Sequence, residues 1–253
     1  MADGMSPTDA RQSNTLGDCY LIASLAAIAV SDPDWVTTHV VTAAGRPPTD
    51  PRYIVTLFKD GKPIRLTVDP FKLSDGAKNR NATSGLETWP AIVENAFQQL
   101  KGGLDEMPAG FADEALPFFT GKESSRVFLP DLTTRSGVDQ LWTMLLERSQ
   151  PPEPGTRFFD VRMSSPVVAT TKYDNKLSLR SLVGGRVSPD YVPMHAYAIL
   201  GIGNNAQLGR FVKLYNPWGE QDGRMDGDDD GVFRVPLNEF LRQFRWLSVS
   251  AAP

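Results

Sequence analysis

The chain has 253 residues and a formal net charge of −4, with 41% hydrophobic and 22% charged residues. This is the balance of a globular protein with a sizeable core, and it gives no basic surface for nucleic acid or anionic membrane. A single cysteine excludes a disulfide framework and suits a reducing compartment.

Residues 1–8 read as a polar lead-in or as the point where a longer chain was cut. No basic-flanked apolar leader opens the sequence, so a secretory signal is not expected. The cytoplasm, or secretion as part of a larger effector, are the two locations this leaves open. Residues 19–30 form an apolar run too short to span a bilayer, and they predict a buried helix starting at Cys19. Residues 53–59 and 63–68 flank Asp60-Gly61 and predict a hairpin. Residues 69–84 are polar and turn-rich, as in a surface loop. Trp89, Ile92, Val93, Ala96, Phe97 and Leu100 follow helical spacing, with Pro90 at the start and Gly102-Gly103 at the end. Residues 104–121 are expected to be irregular.

In the second half, residues 138–148 predict an amphipathic helix, broken by Pro151, Pro152 and Pro154. Strands are predicted over 157–163, 195–202, 210–215, 232–235 and 246–250, with a short helix over 236–244. A helix-rich first half followed by a strand-rich second half predicts an α+β architecture, because parallel α/β folds alternate their elements throughout. The division is expected between Gly121 and Gly137, giving domains 1–125 and 126–253.

Three residues carry the chemistry. Cys19 follows a Gly-Asp turn at a helix start, where the helix dipole favours a thiolate. The alternative is an inert core cysteine. Of the two histidines, His39 has no titratable neighbour in sequence and reads as structural or surface. His195 stands at the mouth of a strand. The next strand runs into Asn216-Pro217-Trp218-Gly219. If the two strands pair antiparallel, His195 and Asn216 share one end of the sheet. An imidazole can take the thiol proton, and an asparagine on the other ring nitrogen fixes the tautomer, as in Cys-His-Asn proteases. Trp218 would shield that hydrogen bond from water.

Leu16-Gly-Asp-Cys-Tyr-Leu, His195-Ala-Tyr and Asn216-Pro-Trp-Gly-Glu220 together resemble the catalytic core of the calpain family of cysteine proteases. Trp89-Pro-Ala-Ile-Val-Glu-Asn-Ala-Phe, Phe119-Thr-Gly121, Asp230-Gly-Val-Phe and Phe240-Leu-Arg-Gln-Phe244 extend the resemblance over nearly the whole chain. The resemblance implies a papain-like two-lobed fold, with a helical first lobe carrying Cys19 and an antiparallel β second lobe carrying His195 and Asn216. It implies peptide-bond hydrolysis through a thioester, with Cys19 as nucleophile, His195 as base and acid, and Asn216 as orienting residue. Gln12 is the candidate side-chain donor to the oxyanion, although the stretch from Gln12 to Cys19 is one residue longer than the family's usual spacing. Protein substrates are the expected partners, with an inhibitor or immunity protein as a further one. An acyltransferase or glutamine deamidase using the same three residues is the alternative reading, in the setting of a bacterial effector or toxin module.

The resemblance also implies calcium, although no cofactor is required by the three-residue chemistry. Asp9 and Glu94 match the family's acidic ligands in the first lobe, and Asp222, Asp226 and Asp230 lie near the matching loop of the second. Val232 stands where the family often has a glutamate. Independently, Asp226-Gly-Asp-Asp-Asp-Gly231 begins like a calcium loop, but Leu237 stands where an EF-hand needs its bidentate glutamate. Weak calcium binding is the expectation, and a solvated acidic turn is the alternative.

Overall fold

A computed structural model describes residues 5–12, 17–47, 49–70, 88–103, 109–130, 134–173, 191–219 and 230–251. Helix α1 spans Cys19–Ser31 and is followed by the short α2, Trp35–His39. Strand β1 (Val40–Thr42) pairs with β2 (Tyr53–Lys59), which pairs with β3 (Lys62–Val68) in a small antiparallel sheet. Asp60 and Gly61 have φ of 52° and 71°, the two positive values of a type I′ hairpin turn. Helix α3 spans Trp89–Lys101 and ends on Gly102 in the left-handed region, as its closing glycines predict.

The segment expected to be irregular contains a helix, α4, over Ala112–Thr120, with Pro117 inside it. Pro117 has no N–H to give the Asp113 carbonyl four residues back. The Ser124 hydroxyl, one turn beyond the helix, takes that carbonyl instead. The helix survives because its orphaned acceptor is satisfied from outside.

The second sheet has the order β4-β10-β6-β7-β8-β9, with β5 paired on β7, and all of its pairings are antiparallel. Its strands are β4 Ser124–Phe128, β5 Phe159–Arg162, β6 Val167–Thr171, β7 Ala196–Asn205, β8 Gly209–Tyr215, β9 Val232–Pro236 and β10 Phe244–Ser250. Two of these strands, β4 and β6, are not predicted. Strand β6 is buried at all five positions, so it lacks the alternation that marks a strand with one wet face. Helix α5 covers Arg135–Leu146 and starts three residues earlier than predicted. Its N-cap Thr134 accepts the Gly137 N–H, a signal that outranks the apolar spacing. Helix α6 spans Leu237–Gln243.

Helix α1 is the hub. Tyr20 through Val30 are all buried, in line with its apolar circumference. One side packs on β7 and β6, the other on α4 and α3. Leu21, Ile22, Leu25 and Ile28 are fully inaccessible, each worth about 1.5–3 kcal/mol in transfer free energy. A polar clamp adds to this contact. Arg126 on β4 forms a bidentate pair with Asp113 on α4 at 2.9–3.1 Å, its guanidinium lying 4.1 Å from the ring centroid of Phe111 and 5.1 Å from that of Trp246. Ser248 on β10 donates to the same carboxylate at 2.9 Å. The clamp ties α4, which packs on α1, to β4 and β10 of the larger sheet. Among the described residues, no helix is long and apolar enough to cross a membrane.

Candidate active site

Cys19 is the first residue of α1, and the packing of that helix on β7 brings its sulfur to the N–H of Ala196, from which it accepts. The neighbouring residue, His195, is 4% exposed. Its backbone is held from both sides by Thr171 at the end of β6. The His195 N–H donates to Thr171 Oγ1 at 2.9 Å, and the Thr171 N–H donates to the His195 carbonyl at 3.1 Å. Thr171 Oγ1 in turn donates to the Val192 carbonyl at 2.6 Å.

Strands β7 and β8 pair antiparallel with Ala198 opposite Tyr215, so His195 and Asn216 fall at the same end of the ladder. The gap between His195 Nε2 and Asn216 Oδ1 is 3.0 Å. Asn216 is fully buried, and its Oδ1 also accepts the Trp218 N–H at 3.2 Å. A backbone N–H identifies that atom as the amide oxygen, since an amide nitrogen could not accept it. Nε2 therefore carries the ring hydrogen, and Nδ1 of the neutral ring holds the free lone pair. Trp218 lies 5.0 Å from the imidazole centroid and Tyr197 meets it edge-on at 4.9 Å, so two aromatic rings limit water at the ring. No hydrogen bond joins the Cys19 thiol to the imidazole among the described residues.

Burial sets the protonation of both groups. It pushes the His195 imidazole down to about 4, the Asn216 contact acting weakly the other way. It pushes the Cys19 thiol up, opposed by the Ala196 N–H and reinforced by the charge of Asp18. The helix-start argument predicts a lowered thiol. Desolvation of the partly buried thiol outweighs the dipole here. The resting pair at neutral pH is a thiol beside a neutral imidazole.

Behind Cys19 lies a second buried group. Asp18 is 2% exposed and faces the Glu94 carboxyl and the Gln12 amide. Burial first, then the facing Glu94, pushes its carboxyl up to about 8. The Gln12 N–H donates to the Pro217 carbonyl at 2.8 Å, which seats Gln12 beside the Asn216 turn. Residues 13–16, which contain the family-length departure, lie outside the described residues.

Three of the acidic residues matched to calcium lie among the described residues. Asp9 accepts the Ser6 N–H at 2.8 Å and the Trp89 indole N–H at 3.1 Å. Glu94 faces Asp18 and accepts from Gln98 at 3.4 Å. Asp230 accepts the Val232 N–H at 2.8 Å, as a turn residue does. Asp222 and Asp226 lie outside the described residues. Among the described residues, no three histidine, cysteine, aspartate or glutamate side chains form a cluster that could hold a metal ion. His39 is remote from the site and stacks on Trp35 at 4.6 Å.

Sequence reasoning missed Thr171, Asp18 and Arg11. Thr171 closes an apolar strand and carries no motif, so nothing in the sequence marks it. Asp18 stands directly before the cysteine, but only the fold reveals the facing Glu94.

A family model described as "Calpain family cysteine protease" matches residues 1–228. Curated relatives include the calpain-1 catalytic subunits of Bos taurus, 23% identical, and Homo sapiens, 22% identical. Each alignment covers 98% of this chain and 35% of the relative. Calpain-8 of Mus musculus is 23% identical over 97% of this chain and 36% of its own length. The chain thus spans about a third of the length of the curated relatives it matches. With a match over most of its length, the chain belongs to the calpain family of cysteine proteases.

Proposed function

We propose that this chain is a calpain-like cysteine endopeptidase core that hydrolyses protein substrates through Cys19, His195 and Asn216. The observation that carries the reading is the buried 3.0 Å contact between His195 and Asn216, beside the strand start whose N–H touches the Cys19 sulfur. In this reading two lobes, 1–125 and 126–253, meet across a cleft between the start of α1 and the β7–β8 end, with β4 straddling the division.

The chemistry follows from the protonation states. His195 Nδ1 takes the thiol proton, and the sulfur attacks the scissile carbonyl. Catalytic hydrogen bonds are often loose before substrate binds, so the thiol and imidazole close up as the site fills. The Cys19 N–H, unpaired within α1 because it opens the helix, and the Gln12 side chain donate to the developing oxyanion. His195 passes its proton to the leaving amine, a thioester remains on Cys19, and His195 then activates water to release the acid. Asn216 keeps Nε2 protonated and the ring in plane throughout.

Cleavage-site mapping on a proteome digest with wild type and Cys19→Ala tests the reading. New chain ends that vanish in the variant support it. Intact substrates carrying a gain of about one dalton, the signature of side-chain deamidation under the same triad logic, would replace it with the alternative.

A further inference from the structure

The segment that ends in Gln12 is strapped to the turn that carries Asn216. Tyr215 Oη donates to the Ala10 carbonyl at 3.1 Å, the Gln12 N–H donates to the Pro217 carbonyl at 2.8 Å, and Arg11 Nη2 donates to the Gly219 carbonyl at 2.8 Å. Gly219 sits at φ +66°, and a Cβ there would stand 2.2 Å from Arg11 Nε and 2.6 Å from Cζ. The Arg11 side chain therefore fills the space that a side chain at position 219 would take, which only a glycine leaves open. Arg11 also neighbours the Tyr215 hydroxyl. From Gly219 the chain of contacts continues inward. The Gly219 N–H donates to the Asn216 carbonyl at 2.8 Å, and the Asn216 side chain holds the imidazole at 3.0 Å.

We propose that Arg11 is a positioning residue for the peptidase reaction: it sets the Asn216–Gly219 turn, and through it the His195–Asn216 pair, against the Gln12 segment and Cys19. This rests on the reading of the site given above. The guanidinium suits the task because it stays charged and holds several donors in a rigid fork, whereas an ammonium is a point charge on a flexible stem. The two sides of the reacting centre come from distant chain segments, and Arg11 is a charged side chain that bridges them, donating to a carbonyl 208 positions away.

The test compares wild type with Arg11→Ala, Arg11→Lys and Gly219→Ala in three measurements. These are kcat and KM on a fluorogenic peptide, the rate of Cys19 alkylation by iodoacetamide, and the melting temperature. Arg11→Ala should lower kcat by about ten- to a hundred-fold with KM within about two-fold, the scale of a misplaced catalytic group. Cys19 alkylation should slow in parallel at a temperature where the variant is fully folded. Arg11→Lys should recover part of both rates by restoring a charged donor to the Gly219 carbonyl. Gly219→Ala displaces the guanidinium and also strains the turn, so the double variant Arg11→Ala/Gly219→Ala separates the two: a kcat no lower than in Gly219→Ala alone assigns the loss to Arg11, and additive losses would overturn the proposal. Rates within two-fold of wild type in folded Arg11→Ala or Gly219→Ala, or losses that track only the unfolded fraction, would overturn the proposal. A wild type that alkylates at Cys19 but cleaves no peptide would overturn the peptidase reading, and the alkylation rates would still judge Arg11.

Discussion

Replacing Asn216 by alanine removes one oxygen that two donors share: the His195 Nε2–H at 3.0 Å and the Trp218 N–H at 3.2 Å. The imidazole is 4% exposed and Asn216 is fully buried, so water cannot readily replace the lost acceptor on the histidine side. A buried donor left unpaired costs about 1–3 kcal/mol, and the half-buried Trp218 falls at the low end of that range. Together they predict a stability loss of about 2–4 kcal/mol, or a fall in Tm of roughly 5–15 °C for a chain of this size. The ring also loses the contact that fixes which nitrogen carries hydrogen, and kcat/KM should fall about 100-fold. Asn216→Asp separates the two effects. It keeps an acceptor in place but sets a negative charge beside the ring, so the imidazole should titrate higher than about 4 by roughly 1–3 units. Calorimetry and a pH–rate profile on both variants are the assays. A folded Asn216→Ala with stability and kcat/KM near wild type would refute the view that this contact orients the base.

Thr171→Val keeps the side-chain shape but deletes the acceptor of the His195 N–H and the donor to Val192. It should cost about 1–3 kcal/mol by urea titration, with kcat falling more than KM changes; unchanged urea midpoints would remove Thr171 from the support of the site. The His195 imidazole, at about 4 when folded against 6.5 when free, holds fewer protons in the folded state between those values. Its contribution to stability is therefore intact above pH 6.5 and lost as pH falls toward 4, a change of roughly 3 kcal/mol. Asp18 runs the other way, its stabilisation being lost as pH rises toward about 8, so the histidine part is read as the difference between wild type and His195→Gln. That difference should shift toward the variant by the stated amount between pH 7 and pH 4, and a flat difference would contradict the assignment. Calorimetry with millimolar calcium on wild type and Asp226→Ala should show weak heat that the variant loses, and no heat in either protein would remove the loop as a site.

The features that were legible in the sequence are those set by local rules. Asp60-Gly61 dictates its hairpin because both positions take positive φ. The uncharged run after Cys19 dictates a buried helix because no face of it is polar. The β7–β8 pairing follows from two apolar runs joined by a short turn, and it carries His195 to Asn216. The features that stayed hidden depend on distant partners. Helix α4 holds Pro117 because Ser124 satisfies the carbonyl the proline cannot. The thiol of Cys19 is raised where the helix start alone suggests lowering, because the fold partly buries it. The buried facing of Asp18 and Glu94, and the clasp of Arg11 on Gly219, join residues 76 and 208 positions apart, and no spacing rule reaches that far.

The central claim is that Cys19 forms a thioester under the control of His195. Rapid quenching of wild type during turnover of a peptide ester, followed by intact-mass and peptide-level mass spectrometry, tests it directly. An acyl adduct on Cys19 equal in mass to the N-terminal part of the substrate is expected, absent in Cys19→Ala and strongly reduced in His195→Ala. Turnover that persists in Cys19→Ala, or an adduct of equal yield in His195→Ala, would contradict it.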